Sequence, residues 1–218
     1  MTDGGAAVTG AGLKLQAEDL GKRFGWRRVF RGLSLEAERG SVLVVRGSNG
    51  SGKSTLLRIL AGLLRPTEGT VRLETDVPDA PPGLRCRVAL AAPSINPYAS
   101  LTLAENIQFF LQARGAAAEA GQAERVAGLV GLEDRLHEPV GSFSSGMTQR
   151  VRLALAAAAE PDVLLLDEPS HCLDEDGRRL VREIVERQAC RGICVLATND
   201  EREAELGARH ISMDDYRA

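Results

Sequence analysis

The sequence has few aromatic residues and no strong charge of either sign. Aromatic side chains make up 4% of the 218 residues, and 27 lysines and arginines are nearly balanced by 30 aspartates and glutamates. A protein whose main partner is nucleic acid usually carries a basic field, which a formal net charge of -3 does not supply. Nucleic acid is therefore not expected as a partner.

Cysteine is also scarce, and its four positions form no recognisable framework. Cys86, Cys172, Cys190 and Cys194 show no C-x-x-C spacing and have no histidine pair beside them. This pattern favours free thiols in a reducing compartment over a disulfide scaffold. A metal site built from Cys190 and Cys194 is the alternative, but ordinary packing is favoured.

Long apolar runs are absent as well. The longest, Leu153–Ala159, is short and rich in alanine, whereas a membrane-spanning helix needs about 20 apolar residues. The chain is therefore not expected to cross a membrane by itself, which leaves binding to a membrane protein open. Residues 1–12 lack the basic start and apolar core of a signal peptide and are predicted to form a loose tail, so residues 13–218 are expected to form the domain.

A glycine-rich segment between an apolar strand and a helix organises the chain. Val42–Val45 is typical of a buried strand, and the apolar residues after Lys53 recur at helical spacing. The segment between them reads G-x-x-x-x-G-K-S, in which the glycines let backbone N–H groups and a helix N-terminus face a phosphate. A glycine-rich surface loop is the alternative, and the flanking strand and helix argue against it.

This loop predicts binding of a nucleoside triphosphate with Mg²⁺. Lys53 is expected to reach the β- and γ-phosphates, and the hydroxyl of Ser54 is expected to bind Mg²⁺. The residues predicted to surround the phosphates are Gly47, Ser48, Asn49, Gly50, Ser51, Gly52, Lys53, Ser54 and Thr55.

Two carboxylates follow a second apolar strand. Val163–Leu166 is typical of a strand buried on both faces, and Asp167 and Glu168 come directly after it, where ligands bind in open α/β sheets. Asp167 is predicted to hold Mg²⁺ through water, and Glu168 to orient and polarise the water that attacks the γ-phosphate. Such a pair is often only a solvated strand end, but the upstream phosphate loop favours the catalytic interpretation.

The order of the predicted elements indicates the fold class. Strands alternate with helices around the phosphate loop, whereas the stretch from about residue 94 to about residue 160 is helical. The sequence therefore predicts an α/β protein, a P-loop NTPase with a mainly parallel sheet, an N-terminal antiparallel β subdomain and an inserted helical subdomain. Thr102 is expected to cap the first helix of that insertion.

Two aromatic residues compete for one predicted role. Phe24 is placed to stack on a purine face, with Trp26 as the alternative, and both could instead anchor a hairpin to the sheet. The order of elements favours stacking by Phe24.

In this order the segments resemble the ATP-binding subunit of an ABC transporter, from about Leu13 to Tyr216. In that family residues 47–54 form the Walker A motif and residues 163–167 the Walker B motif. The family signature, usually Leu-Ser-Gly-Gly-Gln, corresponds to the looser match Phe-Ser-Ser-Gly-Met at residues 143–147. The resemblance implies hydrolysis of ATP with Mg²⁺ and stacking of Phe24 on adenine. A P-loop small-molecule kinase is another class that carries such a loop, and the signature-like segment argues against it.

The same resemblance implies partners and a location. Family members form ATP-dependent head-to-tail dimers, so a homodimer or a heterodimer with a related subunit is expected. In such a dimer Ser144, Ser145 and Gly146 would contact the γ-phosphate of ATP held by the other subunit. A transmembrane permease subunit is also implied, with the chain on the cytoplasmic, inner face of the cell membrane. A second hypothesis is a non-transport ATP switch that docks on a membrane or cytosolic scaffold.

Two positions depart from the family pattern. Ser94 stands where the family has a glutamine that contacts Mg²⁺ and the membrane subunit, and Asn199 stands where it has a histidine at the γ-phosphate. An amide donates a hydrogen bond but carries no proton, so slower or regulated hydrolysis is expected. An active ATPase is still favoured, with Glu168, Lys53 and Asn199 as its catalytic residues and Ser54, Asp167 and Ser94 at the metal.

Among subfamilies, the chain is similar to the ATP-binding subunit of the haem exporter of cytochrome c biogenesis. The similarity rests on residues 98–106 and 143–147, and related export ATPases share much of it. Export through a separate membrane subunit is therefore the finer expectation, with the cargo selected by that subunit.

Overall fold

The computed structural model describes residues 12–75, 87–115 and 119–217. The predicted N-terminal tail lies outside these ranges except for Gly12, and so does a turn-rich stretch around residues 76–83.

The strands form two sheets. In chain order they are β1 (Lys14–Phe24), β2 (Arg27–Glu38), β3 (Val42–Arg46), β4 (Glu68–Glu74), β5 (Val88–Ala91), β6 (Val163–Asp167), β7 (Ile193–Ala197) and β8 (Arg209–Ser212). A parallel sheet has the order β5-β6-β7-β3-β8, and an antiparallel sheet has the order β2-β1-β4. The predicted α/β fold class, with a parallel sheet and an N-terminal antiparallel sheet, is confirmed.

The helices pack on these sheets. They are α1 (Lys53–Leu60), α2 (Leu103–Ala113), α3 (Gln122–Gly128), α4 (Ser145–Ala158), α5 (Glu175–Ala189) and α6 (Glu201–Ala204), with short 3₁₀ turns at Glu133–Arg135, Val140–Ser142 and Met213–Tyr216. Across the described ranges, no helix combines the length and the apolarity that a bilayer span requires.

The parallel sheet is buried on both faces. Alternate residues of β6 enter two different hydrophobic clusters: Leu164 and Leu166 join one, and Val163 and Leu165 join the other. An uninterrupted aliphatic run is the sequence that such two-sided burial requires. The carboxyl end of β6 consequently presents Asp167 at the edge of the sheet where β3 runs into the glycine-rich loop.

The antiparallel sheet packs against the phosphate-loop helix. Leu15 of β1 and Phe30 of β2 share a hydrophobic cluster with Leu56 and Leu57 of α1. This packing brings the tip of the β1–β2 hairpin, with Phe24 at the end of β1, close to the start of α1.

Helices α2, α3 and α4 lie between β5 and β6 in the chain and share one hydrophobic cluster. Thr102 caps α2 as predicted: its Oγ1 accepts from the Glu105 N–H at 3.2 Å, and Glu105 Oε2 accepts from the Thr102 N–H at 2.8 Å. The limits of the helical subdomain, about 94–160, remain a prediction.

Asn106 fixes the loop that precedes α2. Its side chain is 2% exposed; Oδ1 accepts from the Tyr98 N–H at 2.7 Å, and Nδ2 donates to the carbonyl oxygens of Tyr98, Leu101 and Thr102 at 2.9–3.2 Å. Both polar atoms of the buried amide are satisfied, so Asn106 holds this loop in a single arrangement.

The three cysteines within the described residues are free thiols. Cys194 is buried in β7, and its burial raises the pKa of its thiol to about 12. Cys172 and Cys190 are exposed.

Candidate functional site

The loop between β3 and α1 depends on its glycines. The φ angles of Gly47, Gly50 and Gly52 are 147°, 80° and 107°, a range that other residues rarely adopt. A Cβ at Gly47 would lie 2.6 Å from Ser51 Oγ, and one at Gly52 would lie 2.8 Å from a methyl carbon of Val29. The loop therefore needs glycine at positions 47 and 52 for both conformation and space, and at position 50 for conformation alone.

Lys53 begins α1 and is 6% exposed. Its Nζ donates to the carbonyl oxygen of Gly47 at 2.7 Å and to Oδ1 of Asn199 at 3.1 Å, and it lies 3.8 Å from Glu168 Oε1. A desolvated ammonium needs such acceptors. Phosphate oxygens entering the loop would take the place of some of them.

Asp167 ends β6 and carries an unsatisfied carboxylate oxygen. Burial raises its pKa, and the hydrogen bond from the Ser54 hydroxyl and the charge of Lys53 act in the opposite direction. Its Oδ1 is buried and has no hydrogen-bond partner among the described residues. A buried, unpaired carboxylate oxygen beside a hydroxyl is a donor set that suits a hard divalent cation, so Asp167 and Ser54 fit Mg²⁺.

Glu168 follows in a strained backbone conformation. Its φ is 50°, and its N–H donates to the carbonyl oxygen of Ala197 at 2.8 Å. Strain of this kind is common where a functional side chain is positioned. Burial raises the pKa of Glu168, the charge of Lys53 lowers it, and the charge of Asp167 raises it. A raised pKa suits a carboxylate that accepts a proton near neutral pH.

Asn199 links Asn49 within the glycine-rich loop to Lys53 at the start of α1. Its Oδ1 accepts from Lys53 Nζ, and its Nδ2 donates to Oδ1 of Asn49 at 2.9 Å. The departure from histidine thus leaves a side chain that still reaches Lys53, the lysine predicted to bind phosphate.

These residues open onto a cleft of about 420 Å³. Residues that line it and were predicted from the sequence are Phe24, Asn49, Gly50, Gly52, Lys53, Ser54, Thr55 and Glu168. Arg27 and Val29 also line it and were not predicted; they lie on β2 after the hairpin turn, and only their position beside Phe24 could have indicated this.

Phe24, and not Trp26, lies at the cleft. The Phe24 ring is 51% exposed, and Lys22 Nζ lies 4.9 Å from its centroid. Trp26 is 95% exposed at the tip of the hairpin. The arrangement leaves ring surface of Phe24 available for a planar ligand.

The remaining predicted residues are not among those that line this cleft. Gly47, Ser48 and Ser51 lie in the glycine-rich loop, Asp167 ends β6 and Asn199 follows β7. Ser144 caps α4 by accepting from the Met147 N–H at 3.2 Å, and Ser145 and Gly146 form the first turn of that helix. Ser94 is exposed in the loop after β5. None of these four residues belongs to the described lining of the cleft, so their roles stay predictions.

Asp214, like Arg27 and Val29, was not predicted from the sequence. Ser48 donates to its carboxylate through both the backbone N–H, at 3.0 Å, and the hydroxyl, at 2.7 Å. These two hydrogen bonds lower the pKa of Asp214. The 3₁₀ turn at the end of the chain therefore supports the outer side of the glycine-rich loop, a contact between residues 166 positions apart that no local pattern indicates.

Comparison with known proteins finds relatives in sequence and in fold. The sequence profile of a family described as ABC transporter matches residues 30–171. A cytochrome c biogenesis ATP-binding export protein, CcmA of Rhizobium meliloti, is 37% identical over 94% of this chain and 99% of its own length. An aliphatic sulfonates import ATP-binding protein, SsuB 1 of Agrobacterium fabrum, is 39% identical over 90% of this chain and 69% of its own length.

Solved structures agree with these matches. A dimeric post-hydrolysis state of the ATP-binding cassette MJ0796, bound to ADP and Pi, has a TM-score of 0.80 at 25% identity, over 91% of this chain and 93% of its own. A putative ABC transporter ATP-binding protein from Pyrococcus furiosus has a TM-score of 0.79 at 22% identity, over 94% of this chain and 100% of its own. The second likeness shows the fold.

Proposed function

The chain belongs to the ABC transporter family as an ATP-binding, ATP-hydrolysing protein, and on that premise we propose that it powers export through a separate membrane subunit. The observation that supports the catalytic part is the convergence of Lys53, Ser54, Asp167 and Glu168 at one edge of the parallel sheet. Their distances and burial suit a bound triphosphate better than a solvated strand end.

The proposed roles follow from these contacts. Ser54 and Asp167 would hold Mg²⁺, which when bound neutralises charge on the β- and γ-phosphates. Lys53 would exchange its contacts with Gly47 and Asn199 for phosphate oxygens. Glu168 would accept the proton of the attacking water, a role that its raised pKa favours.

The signature-like segment is proposed to act across a dimer. Ser144 and the first turn of α4 present backbone N–H groups at the N-terminus of a 14-residue helix, which favours an anion. They are not among the residues that line the cleft of their own chain, so we propose that a second copy, or a related subunit, brings them to the γ-phosphate. The MJ0796 structure, a dimer bound to ADP and Pi, supports the formation of a dimer.

Attachment to the membrane is proposed to occur through a permease on the inner face of the cell membrane. Tyr98 and Phe109 are 55% and 49% exposed, and their rings contact edge to face with centroids 5.0 Å apart. They form an aromatic surface beside the loop that carries Ser94, the position that the family uses toward its membrane subunit.

The export class rests on the similarity of residues 98–106 and 143–147 to the ATP-binding subunit of the haem exporter of cytochrome c biogenesis. A CcmA export protein is among the relatives, at 37% identity over 94% of this chain, and import proteins are among them as well. We propose the export class on that resemblance, with haem export in cytochrome c biogenesis as its finer form. The alternative, a non-transport ATP switch on a scaffold, is favoured by Asn199, because an amide in place of histidine suits slow switching.

Site-specific photo-crosslinking in membranes separates the two functions. A photoreactive amino acid at Tyr98 should form an adduct with a multi-span membrane protein, and the same substitution at Trp26, an even more exposed aromatic residue, should not. When the chain is purified together with that membrane protein, its ATP turnover should differ from that of the chain alone. Adducts at Tyr98 with soluble proteins alone would contradict export and support the scaffold-bound switch.

A further inference from the structure

Arg152 on α4 contacts three separate groups. Its Nε donates to the carbonyl oxygen of Ile95 at 3.2 Å, its Nη2 to Oδ1 of Asn96 at 2.6 Å, and its Nη1 to Oε1 of Gln149 at 3.0 Å. Each guanidinium nitrogen therefore has an acceptor. The planar fork of an arginine fixes the relative position of the groups that it binds.

Gln149 extends this network to the catalytic segment. It is 2% exposed, and its Nε2 donates to the carbonyl oxygen of Pro169 at 2.9 Å, one residue after Glu168. Because Arg152 can only donate, it holds the amide oxygen of Gln149 toward itself and the amide nitrogen toward Pro169. A continuous set of hydrogen bonds thus runs from the loop after β5 to the backbone beside Glu168.

The contacts of Arg152 indicate that it positions neighbouring groups and does not form an ion pair. The side chain is half-buried, and desolvation lowers its pKa. Its three acceptors are neutral, and within the described ranges no carboxylate lies at ion-pair distance from it. A partly desolvated guanidinium must keep its hydrogen bonds, because losing them would leave a buried charge unsatisfied. The positions of the three acceptors therefore fix the position of Arg152.

We infer that Arg152 is a positioning residue that ties the loop of residues 92–97 to Gln149 and so sets the backbone beside Glu168 for hydrolysis. Ile95 packs its side chain into the hydrophobic cluster around α1, so the loop has one anchored side and one side held by Arg152. The inference rests on the proposed function, because the rate that Arg152 would set is that of ATP hydrolysis. In this proposal, Arg152 of α4 fixes the position of the loop that carries Ser94.

Steady-state kinetics of the full chain test the effect on catalysis. Arg152→Ala should lower kcat about tenfold at unchanged KM for ATP, the size expected when charge-assisted hydrogen bonds that act in the transition state are lost. Arg152→Lys should recover only part of the loss, because an ammonium cannot span the three acceptors. Arg182→Ala, which removes an exposed arginine from α5, should leave both constants unchanged.

A double-mutant cycle and amide exchange test the positioning itself. Asn96→Ala should lower kcat, and combined with Arg152→Ala it should add little, because both remove the same contact. In Arg152→Ala, hydrogen exchange over residues 92–97 should rise at least about fivefold while the melting temperature stays close to that of the wild type.

Unchanged exchange over residues 92–97 in Arg152→Ala, or additive losses of kcat in the cycle, would overturn the inference. A wild-type chain without ATP turnover would instead overturn the proposed function, and the exchange measurement would still decide whether Arg152 positions the loop.

Discussion

At the residue scale, Asn199 contacts both Lys53 and Asn49 of the glycine-rich loop but carries no titratable proton. Its amide accepts from Lys53 and donates to Asn49. Asn199→His should raise kcat for ATP several-fold, on the order of the gain that one positioned proton carrier provides, because an imidazole can both contact the γ-phosphate and carry a proton. His210→Asn, which changes a histidine on β8, should leave kcat unchanged. Equal turnover of wild type and Asn199→His would mean that this position does not limit the rate.

At Asp167, the charge that would bind Mg²⁺ lowers the stability of the nucleotide-free fold. Burial raises its pKa, so folding disfavours the charged form of Asp167 relative to its neutral form. For a group with a raised pKa, the stabilising contribution is present below the ordinary pKa and is lost as the pH rises through the folded value. Near neutral pH, the charged Asp167 therefore weakens the nucleotide-free fold.

Asp167→Asn should consequently raise the melting temperature of the nucleotide-free chain, by on the order of 2 °C, while it abolishes stimulation of turnover by Mg²⁺. Asp134→Asn, an exposed position in the 3₁₀ turn Glu133–Arg135, is the control and should change neither quantity. Calorimetry measures the melting temperatures with and without Mg-ATP. A lower melting temperature in Asp167→Asn would contradict the burial argument.

The raised pKa of Glu168 predicts how the rate of hydrolysis depends on pH. Because burial raises its pKa and only the ionised form can accept a proton, turnover should fall as the pH drops through a value above the ordinary glutamate pKa. The acid limb of kcat against pH measures this value directly. An acid limb at or below the ordinary glutamate pKa would argue against Glu168 as the proton acceptor.

At the scale of elements, the loop before α2 depends on a single buried amide. Asn106→Ala removes the acceptor for the Tyr98 N–H and a donor to three carbonyl groups, so it should lower the free energy of unfolding by roughly 2 kcal/mol. Gln108→Ala on the exposed side of the same helix should change it by less than about 0.5 kcal/mol. Urea unfolding of the three proteins measures both effects, and a stability equal to the wild type in Asn106→Ala would refute the structural role.

The elements that the sequence predicted are those with local patterns. The aliphatic runs of β3, β6 and β7, the glycine-rich loop and the cap at Thr102 depend on residues that are neighbours in the chain. Arg152 and Asp214 were not predicted, because their partners lie far along the chain and become neighbours only when the sheet and the helices pack. Phe24 could be preferred to Trp26 only from the order of elements, and its place at the cleft follows from the packing of the β1–β2 hairpin on α1.

At the scale of the whole molecule, the account requires two copies around each nucleotide. Glu168→Gln should bind Mg-ATP without hydrolysing it and form a dimer with twice the monomer mass in light scattering. Adding Ser145→Asp should keep that protein monomeric, because a carboxylate at the signature-like turn repels the γ-phosphate while it still suits the N-terminus of α4. A dimer of unchanged stability in the double variant would show that this turn does not face the nucleotide.

The central claim is that the cleft between the β1–β2 hairpin and the glycine-rich loop binds Mg-ATP. Titration calorimetry of the purified wild type measures this most directly, with Lys53→Ala as the test and Lys14→Ala, a surface lysine of β1, as the control. The account predicts one nucleotide bound per chain in the wild type and in Lys14→Ala, and an affinity at least about tenfold lower in Lys53→Ala. No heat of binding in the wild type, or equal affinities in all three proteins, would contradict it.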